Sequence, residues 1–386
     1  MILAWITYTA GAQTPAVAVA DSLYQIGDYS RAIQLLNSLP PKNPTLLSRL
    51  ARAYQSQGND VQAMEHYRRA IALDSSLIVS RDALGKLLIS NAQFQEAATL
   101  YESLLDAYPK NAQFHYQRAR AYQYLATRDT VQPLIYDQWA IDAFSKAVAL
   151  DSSHFKAMYE LGKIELKARN YPMVEQLGKK VLAQAPDHIE MLGLMGQNYS
   201  ARQFYRDAIP YYERLLDLGQ RSQFLHEKLG MAYYQTRFYE LAVEQYLAAL
   251  AYAPQDDQLH LILAKLYGHL SNLERAEYHA KQALFYKDLP LDEEYFTLGN
   301  TYKLQKKFGS AIAQFQKALE ENPDHEKAFY ALAVSADNYY KDRKAVIALY
   351  ENYLEKYGDR NPYLKQLTEE RVTMLREEVF MAADKQ

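Results

Sequence analysis

A small residue followed twelve places later by alanine recurs along almost the whole chain, and that spacing restricts the folds open to it. The first members are Ala20, Ala51, Gly85, Ala119, Gly162, Gly196, Gly230, Ala264, Gly299 and Ala333. Their partners are Ala32, Ala63, Ala97, Ala140, Val174, Ala208, Ala242, Ala276, Ala311 and Ala345. Successive first members stand 34 or 35 residues apart, except for one step of 31 and one of 43. Self-similarity at a period of this length marks a stack of repeated supersecondary units, none of which can bury its apolar face alone.

A tyrosine stands three places after the small residue in most units, as Tyr54, Tyr122, Tyr199, Tyr233, Tyr267 and Tyr302, one helical turn along the same stripe. Pro44, Pro109, Pro186, Pro254 and Pro323 read as stops for the second helix before the next unit begins. Each unit therefore reads as two short antiparallel helices: the small residue and the alanine let the backbones approach, and tyrosine and leucine fill the space around that contact. Segments such as "YELGKIELKARNYPMVEQLGKKVLAQAP" and "YFTLGNTYKLQKKFGSAIAQFQKALEENP" resemble the tetratricopeptide repeat (TPR) family. The resemblance covers ten units near 13–43, 44–77, 78–111, 112–154, 155–188, 189–222, 223–256, 257–291, 292–325 and 326–358. The expected fold class is all-α, a right-handed superhelical TPR solenoid of antiparallel helix pairs with a C-terminal capping helix. The 34-residue step and the small-residue, alanine, proline signature point away from the RNA-reading helical repeats of similar length.

The search for chemistry is empty. None of the 386 residues is cysteine, which removes disulfides, thiolate zinc sites, iron–sulfur clusters and a cysteine nucleophile. No glycine-rich phosphate loop, His-Glu-x-x-His or Gly-x-Ser-x-Gly motif is present. His154, His188 and His325 fall in turns between units, and His226 and His260, in consecutive first helices, lack further ligands nearby. No metal, cofactor or catalytic residue is expected, and the chain reads as a non-enzyme. The net charge of −3 gives no reason to expect nucleic-acid binding, and no segment is long enough to span a bilayer.

Three stretches depart from the period. In the fourth unit about nine extra residues, "ATRDTVQPL", enter the turn between the two helices, where insertions cost little closure entropy. Thr127 to Pro133, with Tyr136 and Trp139, read either as a neutral loop or as an extra contact element at the edge of a groove, with Trp139 assigned to packing. Residues 359–386 space Leu364, Leu367, Leu375 and Val379 for one packed side of a capping helix. Residues 1–12 are apolar and end in Ala10-Gly11-Ala12, which reads as a truncated or weak signal peptide, or else as a frayed N-terminus. An exported or periplasmic location is favoured on that ground over a cytoplasmic one.

The family resemblance implies that first helices line a concave surface that holds peptides or partner helices. The place after each small residue points off the packing stripe toward that surface. It holds Arg52, Lys86, Arg120 and Lys163 in four consecutive units, then Gln197, Lys265 and Asn300 further along. Four places earlier stand the aromatic residues Tyr116, Tyr159, Phe296 and Tyr330. A two-carboxylate clamp, known in some TPR domains, cannot be laid over any three consecutive units. The expected function is a non-catalytic scaffold or adaptor for a protein or peptide segment held in the groove, with an acidic segment as a candidate. The alternative is the recognition subunit of a signalling, secretion or transferase system whose catalytic domain lies on another chain. Self-association is left open.

Overall fold

The computed structural model describes residues 15–39, 43–128, 133–287 and 290–383, so residues 1–12 and the centre of the inserted segment lie outside the described residues. The described residues form 21 α-helices and no strand, numbered in chain order from α1 (Pro15–Gln25) to α21 (Pro362–Ala383). The fold is an all-α helical-repeat array. It divides at Leu194–Met195 into two compact units.

One contact recurs within the pairs. In the first unit the side-chain space that Gly85 lacks is filled by the ring of Tyr101, which stands 2.6 Å from where a Cβ would be. In the second, Tyr212 fills the notch at Gly196 and Phe315 that at Gly299. At these positions the small residue serves less to bring two backbones together than to seat an aromatic ring sixteen residues further on, whereas sixteen places after Gly162 and Ala264 stand Gly178 and Ala280. Such a ring removes a large apolar area from water and leaves no void. The alanine partners lie beside it, with Ala32, Ala63, Ala97, Ala140, Ala208, Ala242, Ala276 and Ala311 fully buried.

The tenth pair departs from the expected register. Ala345 is exposed and Val346 is fully buried in its place. Five residues separate α19 (Glu326–Asp337) from α20 (Arg343–Tyr357) where three separate α17 (Asp292–Leu304) from α18 (Phe308–Glu321), and α19 stops one residue sooner after its small residue, so α20 is rotated by one position. Val346 and Tyr350 form a core with Val372 and Leu375 of α21, and Arg371 adds an ion pair to Asp337 at 2.7 Å.

Eight of the first-to-second-helix turns share one backbone solution. The second residue beyond the first helix is left-handed at Gly27, Gly58, Ala92, Arg169, Gln203, Arg237, Ser271 and Lys306. The amide two places after the helix-terminal residue's neighbour then closes a six-residue ring, as in Asn170 to Glu165 and Phe238 to Tyr233, which satisfies end carbonyls of the first helix. Returning turns use other devices. Pro109, Pro186, Pro254 and Pro323 follow second helices, but Pro44 opens the next one, α3 (Pro44–Ser56), where its missing N–H costs nothing. His154, His188 and His325 act as N-caps, each Nδ1 accepting from the amide three residues on.

Most of the inserted segment is helical instead of loop. Helices α7 (Ala112–Arg128) and α8 (Pro133–Leu150) have 17 and 18 residues, where the neighbouring α9 (Phe155–Lys167) and α10 (Tyr171–Gln184) have 13 and 14. Trp139 is half exposed and leans on Tyr122 and Tyr136 at 5.3 and 5.4 Å.

Two expectations follow. A methyl at Gly196 meets the Tyr212 ring at 2.5 Å, whereas at Gly162 it meets only the rotatable end of Leu194. Gly196→Ala is expected to cost about 1–2 kcal/mol, since overpacking outweighs its helix-propensity gain of about 1 kcal/mol, whereas Gly162→Ala stays near neutral. Urea unfolding followed by circular dichroism checks this, and Tyr212→Leu should rescue the first variant. Buried His279 shares a ring-nitrogen hydrogen bond of 2.9 Å with His260, and burial, with His260 and Arg275 beside it, holds its pKa down to about 4. The folded state keeps His279 neutral while the unfolded chain binds its proton below about pH 6.5, so stability falls as pH drops through that range toward 4. The slope is about 1.4 kcal/mol per pH unit at most, and His279→Gln should flatten it in pH-dependent urea melts.

Candidate functional site

Helix α7 is amphipathic in an unusual way: its buried face carries Phe114, Tyr116, Ala119 and Tyr122, and the flank beside that face carries Arg120, Gln123 and Tyr124. Helix α9 repeats the arrangement with Met158 and Leu161 inward and Tyr159, Glu160 and Lys163 on the flank. Because first helices of successive pairs lie side by side, the two flanks and the start of α11 (Ile189–Ala201) enclose an open groove of about 640 Å³. Four residues expected from the sequence meet there: Tyr116, Arg120, Tyr159 and Lys163. Thr127, from the lengthened end of α7, also lines it.

The groove's polar network is internal as well as outward-facing. Glu160 accepts from Gln123 Nε2 at 3.0 Å and from Lys163 Nζ at 2.9 Å, tying α7 to α9. Burial pulls the Lys163 ammonium down, but the hydrogen bond and charge of Glu160 more than offset it and leave its pKa above the ordinary lysine value. Burial raises the Tyr116 and Tyr159 phenols, which stay neutral at physiological pH. Lys163 Nζ lies 5.2 Å from the Tyr159 ring centre and Arg120 lies 5.8 Å from that of Tyr124. Lys156 adds a third cation, while Glu190, 3.3 Å from His188, adds a second carboxylate.

The basic column divides instead of forming one ladder. Arg52 lies over the Tyr24 ring at 4.3 Å in a separate recess of about 280 Å³, next to the Arg49–Asp21 ion pair. Lys86 lines neither recess and donates to Asp82 at 2.7 Å. In the second unit Lys265 pairs with Glu293 at 3.4 Å, and Gln197 and Asn300 are half-buried. Phe296 packs on His325 and Phe315, and Tyr330 on Tyr353. Lys156, Glu160, His188 and Glu190 were missed by reading one position per helix. Their only sequence signal is a spacing of three or four from Tyr159 and Lys163, or a place opening the next helix. Among the described residues no group of three or more His, Asp or Glu stands close enough to hold a metal, and no helix is long and apolar enough to cross a membrane.

Helix pairs of this size, stacked so that first helices expose a shared groove, define a helical-repeat interaction protein. Tetratricopeptide repeat models match residues 46–77, 83–122, 227–291 and 293–325, and the chain belongs to the tetratricopeptide repeat proteins. It is 22% identical over 338 residues to tetratricopeptide repeat protein 21B of Xenopus laevis, covering 80% of this chain and 25% of that protein. It is 22% identical over 266 residues to a repeat-containing protein of Methanocaldococcus jannaschii, covering 62% of this chain and 46% of that one. A tetratricopeptide repeat protein structure from Parabacteroides merdae aligns with TM-score 0.43 and 17% identity over 76% of this chain and 98% of that one. The chain thus spans less than half the length of these two curated relatives. Its repeats make it a protein-interaction scaffold.

Removing Glu160's charge provides a test of the groove's electrostatics. In Glu160→Gln burial is left as the main influence on Lys163, so the Lys163 pKa should fall below the ordinary lysine value. NMR titration of the Lys163 ε-methylene reads this directly, and an unchanged pKa refutes the coupling.

Proposed function

We propose that the groove between α7 and α9 holds an extended segment of a protein partner, with acidic side chains meeting Arg120, Lys156 and Lys163 and apolar ones lying on Tyr116, Tyr124 and Tyr159. The supporting observation is the convergence of three tyrosines and three cations on one recess. Two carboxylates within the same recess leave a net excess of one positive charge. A strongly acidic ligand therefore gains little from charge alone.

Magnitudes support the same division of labour. Solvent-exposed ion pairs contribute roughly 0.2–1 kcal/mol each, whereas micromolar binding needs about 8 kcal/mol. Ring burial and hydrogen bonds to the segment's backbone must supply most of the affinity, and the cations set orientation and salt dependence.

A panel of fluorescent peptides that vary acidic and apolar positions, read by anisotropy, tests the proposal. Tyr159→Ala should weaken the best binders by about 1–3 kcal/mol, and Lys163→Ala by about 1 kcal/mol or less with a flatter salt dependence. If charge-reversed peptides bind equally well, or neither variant changes affinity, the groove is not the binding site.

A further inference from the structure

We propose that the edge of the second unit built from its first-to-second-helix turns docks onto an anionic lipid surface. The turns form a continuous rim. Gln203 to Asp207 and Gln235 to Arg237 enclose one recess of about 530 Å³. His269 stacks on Tyr239 at 4.7 Å, and Gln305 Nε2 donates to the Leu273 carbonyl at 3.1 Å. The Tyr339 ring stands 3.1 Å from where a Cβ on Gly309 would be, which extends the rim to the last pair.

Cations and half-emerged rings alternate on this rim. Arg206, Arg237, Lys306, Lys307 and Lys341 are exposed. Phe204, Phe238 and Tyr339 are 47%, 48% and 58% exposed, although a core position was open to none of the three at the tip of a turn. Arg237 and Lys306 occupy left-handed backbone, with φ of 67° and 59°, where glycine costs less and where Gly27 and Gly58, but also Ala92 and Arg169, stand in the first unit. Backbone need therefore does not explain those two cations.

The opposite edge of the same unit is acidic, with Asp256, Asp257, Glu320, Glu321 and Asp324. Helix ends do not account for this asymmetry: every turn joins one C-terminus to one N-terminus, so macrodipole preferences cancel on both edges. The rim itself also carries Asp207, Glu240, Glu274 and Asp342, which its cations outnumber, while the corresponding turns of the first unit carry Asp28, Asp60 and Glu96 beside Arg31 and Arg169. An edge that is basic and aromatic, opposite one that is acidic, is oriented by a negative surface before it touches it.

Three occupants have the right charge, and the observations favour one. Single-stranded nucleic acid needs bare ring faces for its bases, but Arg202 covers Phe204 at 4.5 Å from the ring centre. A second copy would offer the acidic edge, where Asp324 is paired to Lys356 but Glu320 and Glu321 are exposed, so self-association is the competing outcome that light scattering reads below. A lipid headgroup layer needs neither: it accepts ring edges at the interface, and each Lys or Arg near an anionic leaflet raises partitioning about fivefold.

Flotation of the whole chain with phosphatidylcholine vesicles, with and without phosphatidylglycerol, tests this. Binding is expected only with phosphatidylglycerol and is lost at high salt. Arg237→Ala/Lys306→Ala should reduce it by on the order of tenfold or more, and Phe204→Ser/Phe238→Ser should reduce it without changing its salt dependence. Glu320→Gln/Glu321→Gln on the opposite edge, and Lys163→Ala in the groove, should leave it intact, with circular dichroism confirming that each variant is folded. No binding to anionic vesicles at low salt, or equal binding to neutral ones, overturns the proposal. So does retention of a single-stranded oligonucleotide, or salt-sensitive self-association in light scattering, by a chain that ignores vesicles.

Discussion

A ring seated in a notch is the contact on which the remaining packing depends. Tyr101 in the space at Gly85 and Tyr212 in that at Gly196 set how closely the two helices of a pair approach. A larger residue at the notch, or a smaller one in the ring position, would change that distance and with it the alignment of every neighbouring side chain. Tyrosine suits the task because its body is apolar while its tip can bond. The Tyr101 hydroxyl donates to Asp82 at 3.0 Å and that of Tyr212 lies 3.1 Å from Ser200. Tyr122 and Tyr233 donate to Glu102 and Glu213 of the preceding second helix, so the same residue type also joins successive pairs. Thirty-four tyrosines are consistent with this double use. Burial pushes their phenols upward, which keeps them neutral donors.

With helix spacing set in this way, the flanks of first helices become columns, and function depends on what each column places next to its neighbour. Between α7 and α9 the outcome is mixed: tyrosines for adhesion, cations for orientation, and Glu160 holding both helices while neutralising part of the charge. The overall charge of −3 conceals a second polarity, across the edges of the second unit, carried by the turns and the helix ends beside them. Groove and rim draw on different parts of the repeat, so each can vary without disturbing the ring-and-notch contact.

Periodic features were legible beforehand because they answer to local geometry. The small-residue spacing locates first helices, the aromatic positions locate their faces, and the groove residues Tyr116, Arg120, Tyr159 and Lys163 follow from those two. Features that depend on a single residue of turn length were not. The register change from Ala345 to Val346, and the extension of α7 to Arg128 and of α8 back to Pro133, both turn on where a helix stops, which a period cannot show. Pro44 is equally ambiguous in sequence, since proline is compatible with the residue after one helix and with the first residue of another.

By itself, then, the sequence determined the class of fold and the residue types on the flank of each first helix, because helical periodicity ties those to position along the chain. Only the tertiary structure decided which of these outward residues work together. Lys86 and Lys163 look equivalent in their column, yet both are bonded to a nearby acid and only Lys163 borders the groove. The acids that bind Lys86 and Lys163 lie on their own helices, but the bond that joins the groove's two helices, from Gln123 to Glu160, spans 37 residues. No one-dimensional period carries that information, because the Coulomb and hydrogen-bond energies that assign a side chain its role act over a few ångströms in space.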